Sequence, residues 1–136
     1  MGLKVSMGRL QDKVAIITGA GSGIGRETSL LFLEEGAQVI LADINETTLE
    51  ETMNLVGQKG LKDSALSICT DVAQEADIKS MVKMAMDEFG HLDILFNNAG
   101  LGGAFGSISD IDADEWDQSM AILLKSVFMG IKHASV

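Results

Sequence analysis

The residues with the types and spacing for chemistry each follow a run of apolar side chains. The first group is Thr18-Gly19-Ala20-Gly21-Ser22-Gly23-Ile24-Gly25, directly after Val14-Ala15-Ile16-Ile17. Glycine at alternate positions permits unusual dihedrals and lets a ligand approach the backbone closely. A loop that opens a helix also presents unpaired N–H groups at a positive dipole end, so an anionic pyrophosphate is its natural guest. The spacing is not G-x-G-x-x-G, because Ile24 stands where the third glycine would fall. It is not a P-loop, because no G-K-[ST] follows. The second group is Asp43, which follows Gly19 at close to the offset, about 20 residues, of a ribose-binding acid. A carboxylate there accepts from the 2′- and 3′-hydroxyls of an adenosine ribose and repels a 2′-phosphate. Ile44 supplies no compensating charge, so NAD is favoured over NADP. The third group is Asp71-Val72, suited to an adenine edge, and the fourth is Asn97-Asn98-Ala99-Gly100, suited to backbone packed against a ligand.

These groups need elements to hold them at one address, and the pattern of the chain supplies a βα rhythm. Val14 to Ile17, Val39 to Ala42, Ala65 to Val72 and Ile94 to Phe96 read as strands, the first a continuous apolar run buried on both faces. Helices are expected over about Gly23 to Glu35, with Gly36 as a C-terminal cap, and over about Glu46 to Val56. A third has Ile78, Met81, Val82, Ala85, Met86 and Phe89 at helical spacing and ends at Gly90. Asp112-Ala113-Asp114-Glu115 resembles a capping box, and the helix it opens places Trp116, Met120, Leu123, Val127 and Ile131 on one face. Strands alternating with helices imply right-handed crossovers and a parallel sheet, with ligands at the carboxyl ends of the strands. All four groups fall there.

Composition narrows the remaining classes. The 136 residues are 46% hydrophobic and 22% charged, as expected of one globular domain. A net charge of −10 offers no basic face for nucleic acid. No apolar run is long enough to span a bilayer, so no membrane partner is expected. One cysteine, Cys69, excludes an internal disulfide and a cysteine-based metal site and fits a reducing, cytoplasmic compartment. It reads as a small buried hydrophobe. His91 and His133 lack metal-ligand spacing, and they read, like Lys125 and Lys132, as solvated; no metal is expected. Residues 1–9 read as a flexible leader before a domain over 10–136, although Met1-Gly2-Leu3-Lys4-Val5-Ser6 also fits the loose myristoylation pattern.

Taken together these residues resemble the short-chain dehydrogenase/reductase family, in the right order from about Leu10 to Ala134. The resemblance implies a Rossmann-like, doubly wound α/β sheet of strand order 3-2-1-4, an NAD-dependent alcohol dehydrogenase or carbonyl reductase, an alcohol or ketone substrate, and a homo-oligomer. It assigns cofactor binding to Gly19, Ser22, Gly23, Ile24, Gly25, Asp43, Asp71, Val72, Asn98, Ala99 and Gly100. Two departures stand out. The family's relay asparagine falls at position 123, which is Leu123. The family's catalytic Ser and Tyr-x-x-x-Lys are absent, since the 136 residues contain no tyrosine. They are expected beyond position 136, which makes the chain about the first half of such an enzyme. Two readings stand beside the enzyme: a non-catalytic module that binds dinucleotide or a partner, and an inactive fragment. With exposed strand edges and apolar faces the isolated chain is also expected to pack loosely, associate, or need a partner.

Overall fold

The computed structural model describes residues 8–135. Four strands form one parallel sheet: β1 (Val14–Thr18), β2 (Gln38–Asp43), β3 (Ala65–Cys69) and β4 (Ile94–Phe96), in the order β3-β2-β1-β4. Helices α1 (Gly23–Glu34), α2 (Glu46–Gln58), α3 (Glu75–Phe89), α4 (Ala113–Met120) and α5 (Ser126–Ala134) connect or follow them. The expected strand order is therefore the observed one. Reversal of direction from β1 outward, to β2 on one side and to β4 on the other, opens a crevice at the carboxyl ends of the central strands.

β1 and β2 are apolar throughout because both faces are covered. Ile17, Val39 and Leu41 pack with Leu30, Leu33, Leu49 and Val56 on the side of α1 and α2. Val14, Ile16 and Ile40 pack with Ile78, Met81, Ala85 and Met129 on the side of α3 and α5. Asp93 fastens the start of β1 by accepting from the Val14 N–H at 2.8 Å. Gly36 (φ +92°) and Gly90 (φ +84°) follow α1 and α3 in the left-handed conformation that favours glycine.

Several local expectations are corrected. β3 ends at Cys69, not Val72, because the Asp71 carboxylate turns the chain by accepting from the Ala73 N–H at 2.9 Å. Cys69 is exposed rather than buried, since it ends an edge strand. Atoms that keep water from its sulfur, and the neighbouring Glu46 carboxylate, push its thiol pKa up. Arg9, expected within the flexible leader, donates to both Glu35 carboxylate oxygens, at 2.8 and 2.9 Å. The rest of the leader, with the myristoylation pattern, lies outside the described residues.

The largest correction concerns the last helices. Trp116, Leu123 and Ile131 are half-exposed, while Ser119, Ser126, Met129 and Gly130 are buried. Gly130 faces the sheet where the backbone runs close to β4: a Cβ there would lie 2.7 Å from Asn97 Oδ1 and 3.0 Å from Leu95 Cδ2. The two buried hydroxyls are satisfied within the helix, Ser119 on the Glu115 carbonyl at 2.7 Å and Ser126 on the Ile122 carbonyl at 2.6 Å. A π-helical turn over Ala121–Lys125 joins α4 to α5. Of the apolar stripe read from the sequence, Trp116, Leu123 and Ile131 thus face outward, while Met120 and Val127 are part-buried.

His133 is not solvated either. Its Nε2 lies 2.7 Å from Glu75 Oε1, on which Lys132 Nζ also donates at 2.9 Å, tying α5 to the first turn of α3. The Lys132 hydrogen bond first, then His133, lowers the Glu75 pKa from 4.5 to about 2. A carboxylate depressed on folding stabilises the fold above its unfolded pKa, and that contribution drains as pH falls through the folded one. Glu75→Gln is accordingly expected to lower the melting temperature at pH 6, with the gap to the parent closing between pH 4.5 and pH 2 in thermal melts. A gap that stays constant over that range would exclude the depressed carboxylate.

Candidate cofactor site

The crevice is a cleft of about 530 Å³ lined by the glycine loop, β2 and β3 ends, and the segment after β4. Of the residues assigned from the sequence it brings together Gly19, Ser22, Gly23, Ile24, Asp43, Asp71, Val72, Asn98, Ala99 and Gly100. Ile44, Thr70, Leu101 and Ile122 also line it. The first three adjoin assigned residues in sequence, whereas Ile122 arrives through the π-helical turn and carried no signal.

Gly25 is the assigned residue that does not line the cleft. It lies beneath the loop, where a Cβ would overlap the Gly19 carbonyl oxygen and sit 2.8 Å from Asn98 Nδ2. Its lack of a side chain serves the packing of α1 under the loop.

The electrostatics of the helix ends set α1 apart. α2, α3 and α4 each carry an acid in the first turn, and the Asn45 and Asp112 side chains cap α2 and α4. α1 has no acid in its first turn, and its N-cap Ser22 makes no side-chain cap bond. The orphan N–H groups and positive dipole end of α1 therefore remain for an anion, and they face the cleft wall formed by Ser22, Gly23 and Ile24.

Asp43 stands opposite this loop at the end of β2. Its Oδ2 accepts from the Gly21 N–H at 2.8 Å and its Oδ1 from the Asn45 N–H at 2.9 Å. Each oxygen keeps a further lone pair, so the carboxylate is oriented yet still an acceptor for two hydroxyls. This arrangement also explains Gly21: a Cβ there would meet Thr48 Oγ1 and lie 2.9 Å from Asp43 Oδ2.

Thr18 organises the far wall. Its buried Oγ1 accepts from the Asn98 and Ala99 N–H groups, both at 3.0 Å, and donates to the Phe96 carbonyl at 3.3 Å. Asn98 Nδ2 donates back to the Thr18 carbonyl at 3.0 Å. The ends of β1 and β4 are thereby held together, which fixes the Asn98-Ala99-Gly100 backbone against the cleft. Leu123 approaches from the π-helical turn, with Cδ2 3.2 Å from where a Gly100 Cβ would be. Among the described residues no cluster of His, Cys, Asp and Glu has the arrangement of a metal site, and no helix is long and apolar enough to cross a membrane.

A parallel 3-2-1-4 sheet with a glycine loop after β1 and an acid after β2 defines a Rossmann-type, nucleotide-binding class of domain. Comparison with known proteins makes this specific. The family model described as short chain dehydrogenase matches residues 13–135. Short-chain dehydrogenase reductase 4 of Arabidopsis thaliana is 41% identical over 126 residues, covering 93% of this chain and 41% of the relative. The structure of an NAD+-bound xylitol dehydrogenase superposes with a TM-score of 0.86 at 35% identity, covering 93% of this chain and 48% of that one. A short-chain dehydrogenase/reductase from Burkholderia phymatum in complex with NAD gives 0.87 at 32% identity, covering 93% and 44%. The chain belongs to the short-chain dehydrogenase family, and it spans about half the length of the curated relatives it matches.

Proposed function

We propose that this chain forms the NAD-binding half of an NAD-dependent oxidoreductase acting on an alcohol or ketone. The observation that carries the reading is Asp43: a carboxylate at the cleft, held by two backbone amides, with acceptor capacity left for two ribose hydroxyls. The two NAD-bound relatives support the choice of cofactor. The residues fit the group, since the start of α1 carries neither an acid nor a side-chain cap and each Asp43 oxygen keeps a free lone pair. The N–H groups at the start of α1 would hold the pyrophosphate, Asp43 the adenosine ribose, Asp71 and Val72 the adenine edge, and Asn98 to Gly100 the nicotinamide end.

When bound, NAD supplies a hydride acceptor. This chain's contribution is binding, orientation and a wall against water. Proton transfer at the substrate oxygen belongs, by family resemblance, to a tyrosine, and these 136 residues contain none. General acid–base catalysis needs the group itself in place. The 136-residue protein is therefore expected to bind cofactor while giving little or no turnover.

Titration with NADH, followed through quenching of the single tryptophan Trp116, checks this. Saturable quenching that NAD competes away, without NADH production from added alcohols, is the expected result. Absence of saturable binding by folded protein would sink the cofactor reading and favour an inactive fragment. Alcohol oxidation at a rate near that of intact relatives would sink the assignment of the proton transfer.

A further inference from the structure

Arg26 follows the glycine loop in sequence, yet it turns away from the cleft and does not line it. Its side chain is mostly buried between the loop and α2. Nη2 donates to the Gly21 carbonyl at 2.5 Å and the Thr48 carbonyl at 3.3 Å, and it pairs with Glu51 Oε2 at 2.9 Å. Nε donates to Thr52 Oγ1 at 3.0 Å. Thr52 is fully buried, and its one hydroxyl hydrogen is shared between the Ala20 carbonyl at 3.0 Å and the Thr48 carbonyl at 3.1 Å. Two successive loop carbonyls, those of Ala20 and Gly21, are thus drawn back toward α2.

A trans peptide points its C=O and N–H in opposite directions. Holding the Ala20 carbonyl from behind therefore presents the Gly21 N–H forward, where Asp43 Oδ2 accepts it at 2.8 Å. Holding the Gly21 carbonyl likewise fixes the Ser22 N–H on the opposite side. The guanidinium suits this task because its fork reaches the hydroxyl and the carbonyls together, while a lysine ammonium is a point charge on a flexible stem. Glu51 balances the charge, so the arginine is spent on geometry and offers nothing to a 2′-phosphate.

We propose that Arg26 is a positioning residue for the adenosine end of the cleft: through Thr52 it holds the Ala20–Gly21 peptide, whose N–H sets the orientation of Asp43. The proposal rests on the reading of Asp43 as the ribose acceptor.

The test uses the 136-residue protein, its Arg26→Met and Arg26→Lys variants, and two readouts. One is calorimetric titration with ADP-ribose; the other is amide hydrogen exchange by NMR without ligand. Arg26→Met is expected to bind ADP-ribose about tenfold more weakly, with Arg26→Lys in between. The Gly21 amide exchanges faster in Arg26→Met while the β1 amides keep their protection. In an Asp43→Ala background Arg26→Met has little further effect, as two members of one unit require. ADP-ribose affinity within about twofold of the parent, together with unchanged Gly21 exchange, overturns the proposal. Exchange that quickens equally at Gly21 and throughout β1 also overturns it, since Arg26 then only stabilises the fold. A parent protein that does not bind ADP-ribose overturns the cofactor reading alone, and exchange at Gly21 then decides the role of Arg26.

Discussion

Gly25→Ala is expected to abolish measurable NADH binding and to destabilise the fold, although residue 25 does not line the cleft. The added Cβ would overlap the Gly19 carbonyl oxygen, lie 2.6 Å from its carbon and approach Asn98 Nδ2 to 2.8 Å. Two of these atoms are backbone, so no rotamer change relieves the contact. Either α1 slides away from β1 or the Gly19 peptide moves into the cleft. Overpacking of this kind costs about 1–3 kcal/mol, and the displaced Gly19 peptide and Asn98 amide are parts of the cleft wall. Chemical denaturation and the NADH titration together check it. A variant with the parent's midpoint and affinity would show that the helix and loop are not packed as tightly as described. Gly57 provides the contrast, since a Cβ there meets nothing within 4 Å; Gly57→Ala in α2 is expected to be benign.

Asp43→Ala is the second large effect. The substitution removes the acceptor for the Gly21 and Asn45 N–H groups and, on the proposed reading, for two ribose hydroxyls. Hydrogen bonds to a charged group contribute about 1.5–3 kcal/mol each. Losing the ribose pair should weaken NADH by about a hundredfold or more. NADPH should respond differently, because the same change removes the charge that repels its 2′-phosphate. Its affinity is expected to hold or to rise, so the preference for NADH narrows sharply. Parallel titrations of the two cofactors read this directly. An equal loss for both would mean that Asp43 shapes the loop without reading the ribose. Arg26 stays neutralised by Glu51 in this variant, so a full reversal toward NADPH is not expected.

The outward stripe of the last helices deserves weight in handling the protein. Leu124, Phe128 and Ile131 are exposed, and β4 is an open edge of the sheet. Surfaces of both kinds favour association in general.

The sequence by itself determined the order of elements, the parallel sheet and the address of the site. These depend on local period and on offsets along the chain: an apolar run, a glycine loop, an acid near the expected distance from Gly19. It also showed that these 136 residues contain no tyrosine. What it could not decide depended on approaches between residues far apart in sequence. That Gly25 packs beneath the loop rather than lining the cleft is one such case, because glycines in a loop look alike until the carbonyl of Gly19 is placed above one of them. The buried face of the last helices was missed because Ser119, Ser126 and Gly130 are small, Gly130 lying against the end of β4 and Ser119 against the Gly103–Ala104 loop, whereas hydrophobic periodicity registers only large side chains. Arg26 carried no signal at all. A long flexible cation has many places to go, and only the packing of α2 against the loop brings the Gly21 carbonyl, Thr52 and Glu51 within reach of one guanidinium.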